Sequence, residues 1–330
     1  DCDTIYEVPL KLHAQELDHR LVEKLNIWTG APNLKPWEKI LEVFKNPPRG
    51  EVTIAMVGKY VDLTESYKSL TEAIKHGGFA NGVKVNVVFV DSELIETQGF
   101  EATVKESLGE LTGFDGILIP GGFGARGSEG KIRAVRYARE RRIPFFGICL
   151  GLQMATIEFA RNVASILDAT STEFVPDAAN PVIDLMETQR SVHRKGGSMR
   201  LGAYPCLLSE NSLASKLYGT HDISERHRHR FEFNNAYREK LSLLGLSLSG
   251  LSPSGELVEV IELADHPFFI GVQFHPEFKS TPRTPHPLFK GFIEASIVHR
   301  DARLSSRSDL PSGHPDRASS FGGAQLHIVK

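Results

Sequence analysis

Cys149 lies in Gly147-Ile148-Cys149-Leu150-Gly151, with a glycine two positions to either side. An apolar run, "IPFFGIC", leads into it, and a helical pattern, "LGLQMATIEFARNV", leads away. A nucleophile on a sharp strand-to-helix turn requires this arrangement, because side chains at the flanking positions would collide with strand and helix. A thiol at a helix N-terminus also faces the positive end of the helix dipole, which favours the thiolate. Cysteine is equally one of the most often buried residue types. The paired glycines and the strand–helix switch tip the reading modestly from a packed hydrophobe to a nucleophile.

Such a nucleophile needs a base and a group that orients the base. "VQFHPEF" (272–278) offers both, His275 and Glu277, at the end of another predicted strand. In extended chain, residues two apart point to the same side, which brings the carboxylate to one ring nitrogen and leaves the other for the sulfur. The His-Pro pairs at 266–267 and 286–287 lack a carboxylate in the next position, whereas the pair at 314–315 has Asp316 there. "PGGFG" (120–124) follows a third strand, and its glycines let backbone N–H groups approach a developing oxyanion, with the Leu150 amide as second donor. A phosphate loop is excluded by spacing: Ala125 takes the place of the first glycine of G-x-x-x-x-G-K-[ST], and Ile132 follows Lys131. Three strand-end segments that complete one acyl-transfer site are far less a matter of chance than any one alone.

The elements that must hold these residues begin at residue 51. Strand-like runs ("EVTIAMVGKY", "VKVNVVFVD", "FDGILIP", "IPFFGIC") alternate with helical patterns, which predicts a mostly parallel sheet covered on both faces. "RFEFN", "LSLSGLS", "LVEVIEL" and "FFIGVQF" follow without long helices between most of them, and predict an antiparallel extension. Upstream, "LKLHAQELDHRLVEKL" and "PWEKILEVF" read as amphipathic helices, and "NPPRG" (46–50) as a linker. From Ala302 the chain is rich in Ser, Arg, Pro and Gly and reads as a disordered tail.

The 330 residues are 41% hydrophobic and 24% charged, with net charge −3. That composition predicts a globular chain with no general attraction to nucleic acid or anionic membrane. Three scattered cysteines form no disulfide framework, and no apolar run reaches the ~20 residues of a membrane span, so a cytoplasmic setting is expected. The first residue is Asp1, so the chain reads as a piece of a longer protein. "RHRHR" (226–230) could be a nucleic-acid patch. Strand alternation instead sets three arginines on one face and His227 and His229 on the other, and the reading preferred is one substrate clamp with solvated neighbours.

Together these motifs resemble the class I glutamine amidotransferases. "STEF" (171–174), "GGSMRLG" (196–202), "ERHRHRFEFN" (225–234) and "HPEFKSTP" are similar to the CTP synthase family from the first residues to about residue 300. The resemblance implies a class I amidotransferase α/β fold, with 1–36 the end of a synthase domain, 37–50 a linker, 51–301 the glutaminase domain and 302–330 a tail. It implies a Cys149-His275-Glu277 triad and an oxyanion site at Gly122 and Leu150. Gly122, Phe123, Leu150, Gly151, Leu152, Gln153, Glu173 and Arg230 would bind L-glutamine, Glu173 suiting its ammonium and Arg230 its carboxylate. No cofactor or metal is expected for this half. ATP and Mg²⁺ belong to the synthase half upstream of Asp1, GTP would be an allosteric activator, and the full-length protein would form a homotetramer. Thr170 and Leu152 depart from the family's usual asparagine and methionine, and neither side chain bears a predicted chemical step. A γ-glutamyl hydrolase, another amidotransferase or a catalytically silent assembly module are the alternatives.

Overall fold

A computed structural model describes residues 1–59, 64–108, 113–185 and 199–308. At the N-terminus, α1 (Val8–Ala14) and α2 (Leu17–Lys24) replace the single amphipathic stretch expected, because Glu16 between them adopts φ 58° and breaks the helix. α3 (Lys35–Lys45), opened by Pro36, buries Ile40 and Val43 and occupies most of the expected linker. Tyr6 anchors this region: its hydroxyl donates to Glu72 and meets His76 Nε2 at 3.0 Å, and its ring packs edge-on against Phe79.

Among the described residues the main sheet has nine strands. β1 (Glu51–Gly58), β2 (Lys84–Asp91), β3 (Gly116–Ile119), β4 (Phe145–Ile148) and β12 (Phe269–Val272) are parallel, in the order β2-β1-β3-β4-β12. β11 (Val258–Leu263), β10 (Leu246–Leu251), β7 (Arg200–Leu208) and β8 (Asp222–His229) continue it antiparallel, as expected of "LVEVIEL" and "LSLSGLS"; "FFIGVQF" instead supplies β12, parallel to β4 and antiparallel only to β11, and "RFEFN" falls in a second sheet. A second sheet joins β5 (Thr170–Ser171), β6 (Pro181–Leu185) and β9 (Phe231–Phe233). α9 (Leu213–Tyr218) and α10 (Arg238–Leu243) are short connections in the antiparallel half.

Both faces of the inner parallel strands are covered, so β3, β4 and β12 are apolar throughout rather than alternating, while the edge strand β2 keeps Lys84 and Asn86. Val52, Ile54, Met56, Phe146 and Ile148 pack on α4 (Lys68–Asn81) and α11 (Pro287–Ser308) through Ile74, Phe289, Phe292 and Ile293. Ala55, Val57, Ile119 and Phe145 face the opposite layer, α5 (Ser92–Gln98), α6 (Phe100–Leu108), α7 (Ser128–Arg141) and α8 (Leu150–Asn162). The tail boundary expected at 302 falls inside α11. Arg303 bonds Asp115 Oδ1 through Nη2 (2.7 Å) and Nε (3.2 Å), an attachment that low apolar content conceals. Residues 309–330 of the expected tail, and Gly196–Ser198 of "GGSMRLG", lie outside the described residues. Among the described residues no helix is long and apolar enough to cross a membrane.

Candidate active site

The three segments singled out above leave three adjacent parallel strands. Ile119 of β3 pairs with Gly147 of β4, and Ile148 pairs with Val272 of β12, so their C-terminal ends open on one place. Cys149 caps α8 with φ 53° and ψ −99°, and its amide donates to the Val272 carbonyl at 2.7 Å. The flanking glycines are required by contact. A Cβ on Gly147 would lie 2.7 Å from Gly151 C, and one on Gly151 would lie 2.5 Å from the Ile119 oxygen. Strand, turn and helix therefore meet backbone to backbone, and the thiol stands at the start of α8 beside the amides that the first helical turn leaves without intrahelical partners.

His275 follows β12, its amide held by the Arg226 carbonyl at 2.7 Å. Its Nδ1 meets Glu277 Oε1 at 2.7 Å. The pairing arises differently from expectation: Pro276–Lys279 form a 3₁₀ turn, which curls the carboxylate back to the ring. Burial works against charge on His275, yet hydrogen bonds with Cys149 and Glu277 outweigh it and push the imidazole up to about 10. A thiol, an imidazole and a carboxylate are thus in sequence, and the ring holds a proton ready for a leaving group.

A cleft of ≈ 210 Å³ opens onto this triad, lined by Gly121, Gly122, Phe123, Cys149, His275 and Glu277 and roofed by Tyr67 and Phe278. Beyond Cys149 a narrow recess is lined by Gln153, Glu173, Arg230 and Phe231, again with Gly122 and Phe123. Glu173 Oε1 accepts from the Gly124 amide at 2.6 Å, and Lys59 Nζ donates to the Phe123 carbonyl, so the glycine loop is tied down on both sides. Burial raises the Glu173 carboxyl against the opposing pull of the Gly124 amide, Lys59 and Arg230. Arg230 Nε is buried without a partner. Leu150 and Gly151 open α8, and they, like Leu152, whose side chain lies in the core, are not among the residues that line either space.

The β8 alternation holds, with one correction. His227 and His229 are buried rather than solvated, bonded to each other at 2.9 Å, and desolvation together with Arg200 lowers them to about 2 and about 3. Arg200 in turn holds Glu232 (3.1 Å) and Glu259 (2.8 Å). Arg228 lines the cleft and so is more than a solvated neighbour. Gln273, inside the "VQFHPEF" stretch but not singled out there, is buried with its amide against the Cys149 sulfur. Among the described residues, no three or more His, Cys, Asp or Glu are grouped to hold a metal ion.

The family model of class-I glutamine amidotransferases matches residues 62–295. The chain belongs to that family. It is 59% identical over 303 residues to the CTP synthase of Geobacter metallireducens, covering 92% of this chain and 55% of that protein. The CTP synthase of Syntrophus aciditrophicus is 54% identical over 307 residues, with 93% and 56% covered. Among solved structures, the glutaminase domain of Trypanosoma brucei CTPS with bound acivicin is 39% identical, with a TM-score of 0.68 over 75% of this chain and 94% of that one. Within the class-I amidotransferases, the chain is thus a homologue of the CTP synthase glutaminase domain. It spans about half the length of the curated relatives it matches.

Proposed function

We propose that this amidotransferase domain hydrolyses L-glutamine through a thioester on Cys149 and delivers the ammonia to a synthase domain of the same polypeptide, which aminates ATP-activated UTP to CTP. The observation that carries the reading is the His275–Glu277 contact of 2.7 Å beside a thiol that rises from the neighbouring strand. The sulfur attacks the side-chain carbonyl carbon and the C–S bond forms. The Gly122 and Leu150 amides take the oxyanion charge. His275, charged at neutral pH, gives its proton to the amide nitrogen, the C–N bond breaks and ammonia leaves. The now neutral ring takes a proton from water, which attacks the thioester, and glutamate departs as the C–S bond breaks. Glu277 keeps the ring oriented and stabilises its charge throughout.

Glu173 and Arg230 bind the ammonium and carboxylate of free glutamine, and Gln153 lines the same recess. The glycine loop offers ATP no phosphate cradle: Lys131 is buried against Ser92 and Gly127, and the Gly124 amide is engaged by Glu173. Sites for ATP, Mg²⁺ and UTP accordingly belong to the synthase domain, of which residues 1–36 are the end and 37–50 the link. GTP activation, a cytoplasmic homotetramer and the absence of nucleic-acid or membrane partners complete the proposal. The test is glutamate release by this chain, its loss in Cys149→Ala, and labelling of Cys149 by an electrophilic glutamine analogue. CTP formed from UTP, ATP and ammonia by this chain alone would overturn the division of labour.

A further inference from the structure

Gln273 is fully buried two residues before His275, with its backbone amide fixed to the Glu259 carbonyl at 2.9 Å. Its side chain stands between two others: Nε2 lies 3.7 Å from Cys149 Sγ, and Oε1 lies 3.4 Å from Gln153 Nε2. The direction of this chain follows from its far end. The Phe231 carbonyl, 3.2 Å from Gln153 Nε2, only accepts, so the Gln153 amide must turn its NH₂ toward it. The second proton of that NH₂ then meets Gln273, which must present its oxygen there and its own NH₂ to the sulfur. Gln153 Oε1, buried with no partner, is left as a free acceptor among the groups that line the narrow recess.

We propose that Gln273 is a further catalytic residue, an amide that donates to the reacting sulfur and, through Gln153, couples the state of that sulfur to the acceptor offered to substrate. The inference rests on the reading of Cys149 as nucleophile. A donor aimed at sulfur favours the thiolate over the thiol, since only the thiolate is a strong acceptor. His275 also hydrogen-bonds the sulfur, so Sγ has two polar neighbours. When the thioester forms the sulfur loses its charge and the amide loses its acceptor. The relay weakens at the moment when ammonia must leave.

The test is the pH dependence of Cys149 alkylation by iodoacetamide, in which the thiolate forms an S–CH₂ bond and iodide departs. Gln273→Leu removes the donor, and Gln273→Met does so at matched length. Each should displace the alkylation curve upward by about one pH unit and lower kcat/KM for glutamine about tenfold, the effect of one hydrogen bond to a charged group. Gln153→Leu does not touch the sulfur, but it releases the Gln273 amide to turn over and should displace the curve in the same direction by a smaller amount. The other charged or titratable groups lining the two spaces, Tyr67, Glu173, Arg228, His229, Arg230, His275 and Glu277, are unchanged in all three. A residue that merely packs would lower the melting temperature without displacing the curve. Superimposable curves in a folded Gln273 variant would overturn the proposal, and if neither Gln273 variant folds, the Gln153→Leu curve decides. Wild-type protein that keeps its glutaminase activity after alkylation of Cys149 would instead sink the nucleophile itself.

Discussion

Gly151→Ala adds one methyl group at the place where α8 passes closest to β3. Its Cβ would sit 2.5 Å from the Ile119 carbonyl oxygen and 3.3 Å from Ile119 C, atoms of a strand that cannot rotate away. To restore ordinary contact the first turn of α8 must retreat by roughly 1 Å, and close-packed cores resist such shifts at a cost of about 1–3 kcal/mol. Alanine in a helix recovers about 1 kcal/mol relative to glycine, so the net loss is at most about 2 kcal/mol and a few degrees of melting temperature. Turnover should suffer more. Cys149 and the Leu150 amide move with the helix, and a misplacement of about 1 Å costs on the order of 10²-fold in rate. Ala155→Gly, one turn further along the same helix at a fully buried position, gives a comparable stability loss without the clash and should leave turnover within about threefold. Steady-state glutamate release and thermal melting of both variants make the comparison. A Gly151→Ala enzyme with more than a third of wild-type turnover would refute the argument that backbone contact between β3 and α8 sets the position of the thiol.

Glu277→Gln should slow glutamine hydrolysis less than His275→Ala, because the amide still engages Nδ1, whereas loss of the acid–base group removes a factor of ~10²–10⁴. In the same variant the His275 resonance should titrate below about 10, since one of the groups that raises it is gone; an unmoved titration would dismiss Glu277 from the triad. Lys131 is held down to about 8 by burial and then by repulsion from Lys59, against an ordinary value of 10.5. Between those limits the folded chain has released a proton that the unfolded chain keeps, so stability rises with pH there. Lys131→Met removes that cost and should be more stable by about 2–3 kcal/mol at pH 7, with the difference closing by pH ~10.5; urea denaturation that finds a constant difference would contradict it. Arg303→Ala leaves the buried Asp115 carboxylate with the Thr53 amide and should cost about 1–3 kcal/mol, whereas an unchanged melting temperature would return residue 303 to a neutral tail.

The triad was legible because each member carried a local signature: glycines around Cys149, and a strand end before His275 and Glu277. The glycines speak of steric demand, and the contacts of Gly147 and Gly151 meet that demand directly. The β8 alternation was legible for the same reason, since side-chain period is a property of the strand itself. Other features depend on partners far away in the chain. Nothing near Gln273 announces that its amide will meet a sulfur 124 residues earlier, and nothing near Arg303 points to Asp115, 188 residues away. The Pro276–Lys279 turn was missed because His-Pro-Glu reads equally as extended chain. The break at Glu16 was missed because helical spacing of apolar residues persists across it. Local grammar places the chemistry, and long-range pairing decides how firmly it is held.

Arg230 sits where the chain leaves β8 of the large sheet and enters β9 of the small one, and Glu173 follows β5 of that same small sheet. The bond-breaking groups, by contrast, all descend from the ladder β3-β4-β12. Reactivity and recognition therefore have separate foundations that meet at one face of Cys149. On the proposed assignment, a change in the amine donor bound falls on the three-stranded sheet, while the nucleophile and its proton carrier stay in register on the large one. Heritable change in what is bound is decoupled from the machinery that cuts.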